Sequence, residues 1–240
     1  MSRARLLATL RWDAQLQFRH GFYYAAAFVA AVIMLGLTRL PLIDVDVSWL
    51  VPPLVASNLT MGTFYFVGGL VLLEKGEGTL EALVVTPLRA SEYLASKVIS
   101  LTALAVLENV AIVAVFSGGR LGLGIVPLAL GIAVASALLI LVGFVAVARY
   151  DSINEYLAPS VLYAGLASLP VFPWLLRWDH WLLYLHPLQG TLLLMQAAFS
   201  PLEAWQAAYG VLSSLVWIGL VGLWSRRAFH RFVVTQVGTH

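Results

Sequence analysis

The sequence predicts an all-α integral membrane protein. Its parts are six transmembrane helices, an amino-terminal interfacial helix, a short cytoplasmic crosspiece between helices 2 and 3, and an outer re-entrant segment between helices 5 and 6. Three observations carry this reading. First, 61% of the 240 residues are hydrophobic, 11% are charged and the mean hydropathy is +0.89, far from the balance of a soluble domain. Second, charge-free runs cover Gly21 to Thr38, Val47 to Leu73, Leu121 to Ala148, Tyr156 to Leu176 and Ala204 to Ser225, and Val98 to Gly119 is broken only by Glu108. The shortest, of 18 residues, reaches roughly 27 Å as a helix, close to the hydrocarbon thickness. Third, basic residues gather on one side. With six spans, eleven of the fourteen (Arg3, Arg5, Arg11, Arg19, Lys75, Arg89, Lys97, Arg149, Arg226, Arg227, Arg231) share one set of ends and only Arg39, Arg120 and Arg177 the other. Both termini therefore belong in the cytoplasm.

The elements follow in order. Leu6, Leu7, Leu10, Ala14 and Phe18 share one face of a helix before the first span, with Arg5, Arg11 and Arg19 elsewhere. That pattern suits a helix lying along the cytoplasmic membrane surface, and a signal-anchor flank with a purely topogenic role would carry it too. No cleavage pattern of small residues follows the first apolar run, so the segment is retained. The spans are expected at about 22–38, 50–73, 98–117, 125–148, 157–176 and 204–225, in one transmembrane domain over 1–240. Trp181 to Leu202 is also uncharged, but Pro187 and Pro201 leave about a dozen helix-permissive residues between them, the length of a re-entrant segment. A seventh crossing there would put Arg226, Arg227 and Arg231 outside, against the bias.

The polar stretch from Leu72 to Lys97, "LLEKGEGTLEALVVTPLRASEYLASK", interrupts this apolar background. Leu80, Leu83 and Val84 fall on one side of a short helix, and Glu74, Glu77 and Glu81 on an adjacent one. Gly76 and Gly78 interrupt helix continuing from the second span, and Pro87 stops the piece after Thr79. Ser91 offers an N-cap, with Glu92 in the first turn, for the helix that returns through Lys97. A two-turn helix is not stable alone in water, so it must rest on something, either headgroups or a partner.

These residues also carry a resemblance. "EKGEGTLEALVVTPL", Glu74 to Leu88, with "YLASK", Tyr93 to Lys97, resembles the cytoplasmic loop of type-2 ABC transporter permeases. "LRWDAQLQFRHGFYYAAAF", Leu10 to Phe28, looks like the drug or fluoroquinolone exporter permease subunits of that family, and "YLHPLQGTLLLM", Tyr184 to Met195, is similar to their outer re-entrant region. The resemblance implies a permease domain of six helices, paired with an identical or related subunit to form the path. It also implies a coupling helix between helices 2 and 3 seated in a groove of a separate ABC ATPase, which would hold the ATP and Mg. It assigns Glu74, Glu77, Gly78, Thr79, Leu80, Glu81, Leu83, Val84 and Pro87 to that coupling region. Leu80, Leu83 and Val84 would then pack into the ATPase or the permease base, while the three glutamates would face basic residues or solvent. The implied function is export of a small amphipathic or apolar compound, such as a drug, across the cytoplasmic membrane.

Other chemistries find little support. The chain has no Gly-Lys-Ser/Thr phosphate loop, since neither of its two lysines follows a glycine, so no ATP hydrolysis is expected in this chain. It has no His-Glu-x-x-His, no Gly-x-Ser-x-Gly and no cysteine, and the five histidines lack ligand spacing. No catalytic residue, metal site or nucleic-acid partner is expected. His186, beside Pro187, suits a hydrogen-bonding role. Glu108 stands near the middle of the third span, where a charge costs about 2.5 to 3.5 kcal/mol on insertion scales. "SNLT", Ser57 to Thr60, lies at similar depth in the second span. Asn58 and Thr60 with Glu108 are therefore candidates either for helix-joining hydrogen bonds or for a substrate or proton site. A secondary transporter would need ionisable groups in both halves, and an importer's substrate-binding membrane subunit would lack the loop between helices 2 and 3.

Overall fold

The computed structural model describes residues 3–39, 47–80, 89–119 and 121–234, and all regular structure among them is helical. In chain order these are α1 (Arg3–Arg19), α2 (Phe22–Leu37), α3 (Val47–Leu59), a π-helical turn (Thr60–Phe64), α4 (Tyr65–Gly76), α5 (Ala90–Phe116), α6 (Ile125–Val147), α7 (Ile153–Ala167), α8 (Val171–Leu175), α9 (Gln189–Gln196) and α10 (Ala204–Phe229). A 3-10 turn spans Trp181–Leu185 and a second π turn spans His230–Val234.

Four helices among the described residues are long and apolar enough to cross a membrane: Trp49–Gly76, Ala90–Phe116, Gly122–Val147 and Ala204–Phe232. The bent pair α1 and α2, with a 63° change of direction at Gly21, makes a fifth candidate. The expected fifth span, 157–176, is not one helix. α7 has 15 residues, and Ser168 to Pro170 separate it from the five residues of α8. Pro170 and Pro173 lack an N–H and disfavour helical backbone before them, so the helix stops although the apolar run does not. α2 likewise has only 16 residues. Of the six expected spans, four are therefore long helices, and the first and fifth fall on shorter, bent or broken pieces.

α6 is the hub. Fourteen of its 23 residues are buried, and it packs against α4, α5, α9, α10 and the π turn. Close approach is built with small residues. A Cβ on Gly143 would come 2.7 Å from Val67 Cγ1, and one on Gly131 would come 2.7 Å from Met195 Cγ. α10 is the opposite case: only Gly210, Ser214, Val221, Ser225, Ala228 and Phe229 of its 26 residues are buried. Its Leu212, Leu215, Val216, Leu220 and Leu223 face outward, as a helix in contact with lipid requires. The segment expected to be re-entrant contains α9, eight residues or about 12 Å packed among α3, α6 and α10.

Two further expectations are corrected. α5 begins at Ala90 with Arg89, not Ser91, as its N-cap, and the Arg89 N–H donates to Glu92 Oε2 at 3.1 Å. α1 does show Leu7 and Phe18 outward, 66% and 57% exposed, but a strip beside them faces the bundle. Asp13, Leu16 and Gln17 are buried against α5.

Candidate functional site at the base of the second and third spans

α4 ends and α5 begins at the same end of the bundle, on either side of the polar loop. Here Lys97, 1% exposed, pairs with both Asp13 of α1 and Glu74 of α4, each 0% exposed. The Tyr93 hydroxyl, one turn before Lys97, donates to Glu74 Oε2 at 2.6 Å, and Ser96 Oγ donates to Asp13. Lys97 Nζ also lies 4.9 Å from the Tyr93 ring centroid, within cation–π range. Burying charge at this depth is tolerable only because each ion has a partner and further hydrogen bonds.

The network continues in both directions. Arg5 Nε lies 3.3 Å from Glu92 Oε2, and Gln17 Nε2 donates to Ser100 Oγ at 2.9 Å. Residues 92, 96, 97 and 100 form one face of α5, so α1 is fastened along that face through polar groups. Through its ring, Tyr93 reaches Phe144 of α6 at 6.1 Å and Phe229 of α10 at 5.2 Å. Lys75, the next residue after Glu74, turns the other way. Its Nζ donates to Ala148 O at 2.9 Å, to Tyr150 O at 2.7 Å and to Asp151 Oδ1 at 3.1 Å, binding α4 to the turn between α6 and α7.

The polar loop starts from this base. Gly78 has φ +67°, the left-handed turn that ends α4, and Thr79 and Leu80 resume helical backbone. Leu80 is 3% exposed and joins the main core cluster, so it packs on the permease-side base. Glu77 stays half exposed, with His20 Nε2 3.5 Å away. Glu74 is corrected from the expected acidic stripe: it points into the bundle, where it offers nothing to a partner. Glu81, Leu83, Val84 and Pro87 lie outside the described residues.

Half a span away, Asn58 Nδ2 donates to Glu108 Oε1 at 3.2 Å and to Asn109 Oδ1 at 2.9 Å, and Asn109 Nδ2 donates to Ala105 O at 2.9 Å. Thr60 does not join them. Its hydroxyl donates to Ala56 O at 3.0 Å and accepts from Ser168 at 3.2 Å. The cavity beside Glu108 and Asn58 is about 10 Å³, room for about one water and not for a solute. The π turn adjoining Asn58 is of the kind that recurs at functional sites. Among the described residues no group of three or more His, Asp or Glu could hold a metal ion.

Residues 4–237 match the fluoroquinolones export permease protein family. The chain belongs to that family. Two similar proteins are the fluoroquinolones export permease proteins of Mycobacterium tuberculosis strains CDC 1551 and H37Rv, each 34% identical over 237 residues that cover 98% of both chains. This export permease is accordingly a multi-pass membrane protein whose long apolar helices serve transport. Of the residues in these two clusters, sequence reasoning singled out Glu74, Glu77, Asn58, Thr60 and Glu108 as candidates and did not single out Asp13, Lys97, Tyr93 or Asn109. The available signals were Asp13 and Gln17, one turn apart and each two turns after a leucine of the apolar stripe, and Tyr93 one turn before Lys97.

Proposed function

We propose that this chain is the permease subunit of an ABC exporter, moving a fluoroquinolone-like amphipathic compound out across the cytoplasmic membrane. A separate ATPase, holding ATP and Mg, drives alternating access by pushing on the loop between α4 and α5. A second permease subunit, identical or related, completes the path, and both termini are cytoplasmic.

The observation that carries this reading is the locked base. The loop emerges between two helix ends tied together by Lys97, Glu74 and Tyr93, and those ends are tied in turn to α1, α6 and α10. A force applied at Glu77 to Leu80 therefore moves several helices together, because a packed base shifts as a unit instead of deforming. The Glu108 cluster fits helix joining, since its cavity is too small for a solute.

Affinity purification of the chain from its native membrane, with ATP hydrolysis and ciprofloxacin efflux measured on the same complex, is the test. The proposal requires a stoichiometric ATPase and efflux that stops when nucleotide is withheld. Efflux by the chain alone, driven by a proton gradient, would replace it with secondary transport.

A further inference from the structure

At the end of the bundle away from Gly76, where the Trp49–Gly76 span begins, a pocket of about 210 Å³ opens between that span, the α8 turn and α9. Its chemistry comes from the turn that ends α8. Arg177 is the only non-glycine residue with positive φ among the described residues, at +53°, the left-handed position of a helix cap closed by the Arg177 N–H on Trp174 O and the Trp178 N–H on Pro173 O. The turn sets the Arg177 guanidinium 4.9 Å from the Trp49 ring centroid. Trp174 Nε1–H donates to Trp49 O at 3.3 Å, holding two indoles of the pocket wall together. A guanidinium stacked on an indole keeps its N–H edge free for a carboxylate.

The opposite charge and an unmade acceptor lie across the same pocket. Asp179 lines it and takes a hydrogen bond from Tyr184 at 3.4 Å. Gln189 also lines it, at the start of α9, and is only 5% exposed. Its Oε1 has no donor among the described residues, which is costly for a buried amide unless a ligand supplies an N–H. Trp178 adds a third indole to the wall.

We infer that this pocket binds planar aromatic zwitterions. Arg177 takes the carboxylate, Asp179 and Gln189 Oε1 take a protonated amine, and the indoles of Trp49, Trp174 and Trp178 hold the ring system. Fluoroquinolones have this chemistry, so the inference rests on the proposed export function and adds a site to it. By the charge count the pocket is on the outer side. At about 210 Å³ it is below the usual 300–1,000 Å³ of an enclosing drug site, so it holds its ligand shallowly, as a site from which an exported compound must depart.

The experiment is equilibrium dialysis of radiolabelled ciprofloxacin and of its carboxylate ethyl ester against the full chain in phosphatidylcholine nanodiscs. Thermal unfolding of each variant is recorded alongside. Wild type should bind ciprofloxacin saturably, and Arg177→Gln should weaken binding about tenfold or more, the loss expected for one charge-assisted contact. Arg177→Lys should weaken it less. The ester should bind wild type weakly and be indifferent to Arg177→Gln. Gln189→Leu should weaken ciprofloxacin binding while leaving the melting temperature unchanged or higher, which a purely structural glutamine would not do. Absence of saturable binding to wild type would overturn the inference, as would binding within twofold of wild type in Arg177→Gln, Asp179→Asn and Gln189→Leu. Efflux from cells carrying the complete system separates the two readings. Efflux without pocket-dependent binding removes the site and keeps the export function, whereas pocket-dependent binding without efflux removes the export function and keeps the site.

Discussion

Lys97→Met tests the locked base most directly. The substitution keeps an unbranched, helix-compatible side chain but leaves Asp13 and Glu74 facing each other with no cation, both at 0% exposure. Removing one member of a buried ion pair costs about 3–5 kcal/mol, because the remaining charge is neither solvated nor paired. At about 2–4 °C per kcal/mol for a chain of this size, the melting temperature should fall by about 6–20 °C. Glu74→Gln should cost less, since Tyr93 can still donate to the amide oxygen and Lys97 retains Asp13. The triple variant Asp13→Asn, Glu74→Gln, Lys97→Met removes every ion and should recover most of the lost stability, as neutral replacements of buried charge clusters do. Thermal unfolding of the detergent-purified variants is the assay. If Lys97→Met melts with wild type, or the triple variant melts no higher than Lys97→Met, the buried set does not hold the base and the argument for a rigid lever fails.

The other expectations concern separate parts of the molecule. If Glu108 joins α5 to α3 through Asn58, Glu108→Gln should keep both stability and transport while Glu108→Leu lowers stability; abolished transport in a well-folded Glu108→Gln would instead assign it to protons or substrate. At the loop, Leu80→Asp should now damage the permease core itself, given 3% exposure, so ATPase recovery in pull-downs is better read from Leu83→Asp and Val84→Asp. Glu77→Lys should change recovery little, an exposed pair being worth roughly 0–1 kcal/mol, and that effect should shrink in high salt. His186, outside the long spanning helices, has Nδ1 accepting from the Leu188 N–H at 3.2 Å and Nε2 3.0 Å from Leu166 O. Burial holds its imidazole below the ordinary value of 6.5, against the opposing pull of the Leu166 carbonyl. The unfolded chain then takes the proton first as pH falls, so this contribution is complete above about pH 6.5 and lost below it. Melting temperatures compared at pH 8 and pH 5.5 should show the loss in wild type and a flatter response in His186→Gln.

Spans 2, 3, 4 and 6 were legible because hydropathy and helix length agree in them. Span 5 was not, because Pro170 and Pro173 break the backbone ladder without interrupting the apolar run, and hydropathy counts side chains, not hydrogen bonds. The short helix between Pro187 and Pro201 was readable, because the two prolines leave only about a dozen helix-permissive residues and α9 uses eight of them. The charged base was half legible. The sequence pattern put Glu74 on the acidic stripe of the crosspiece and Lys97 in the helix that returns from it, but the partners of Lys97 stand 23 and 84 positions away. No local pattern tells an inward-facing polar stripe from a solvated one. α1 shows this most clearly: its apolar stripe was recognised, and the strip beside it that carries Asp13 and Gln17 is the one that docks.

That outcome bears on the orientation argument, which treated every basic residue alike. Lys97 is neutralised inside the bundle, Lys75 is occupied by two carbonyls and Asp151, and Arg5 is paired with Glu92. Each of these is a structural cation as much as a topological one. Without them, eleven basic residues on the loop side become eight, still against three on the other. The eight are all arginines, and Arg226 and Arg227 form a pair in the last turn of α10, close to a membrane end, where the bias acts. The charge bias from which a cytoplasmic base is proposed therefore survives removal of the charges that the fold itself consumes. An impermeant thiol reagent supplies the check: a single cysteine placed near the carboxyl terminus of this cysteine-free chain should stay unlabelled in intact cells and react once they are opened.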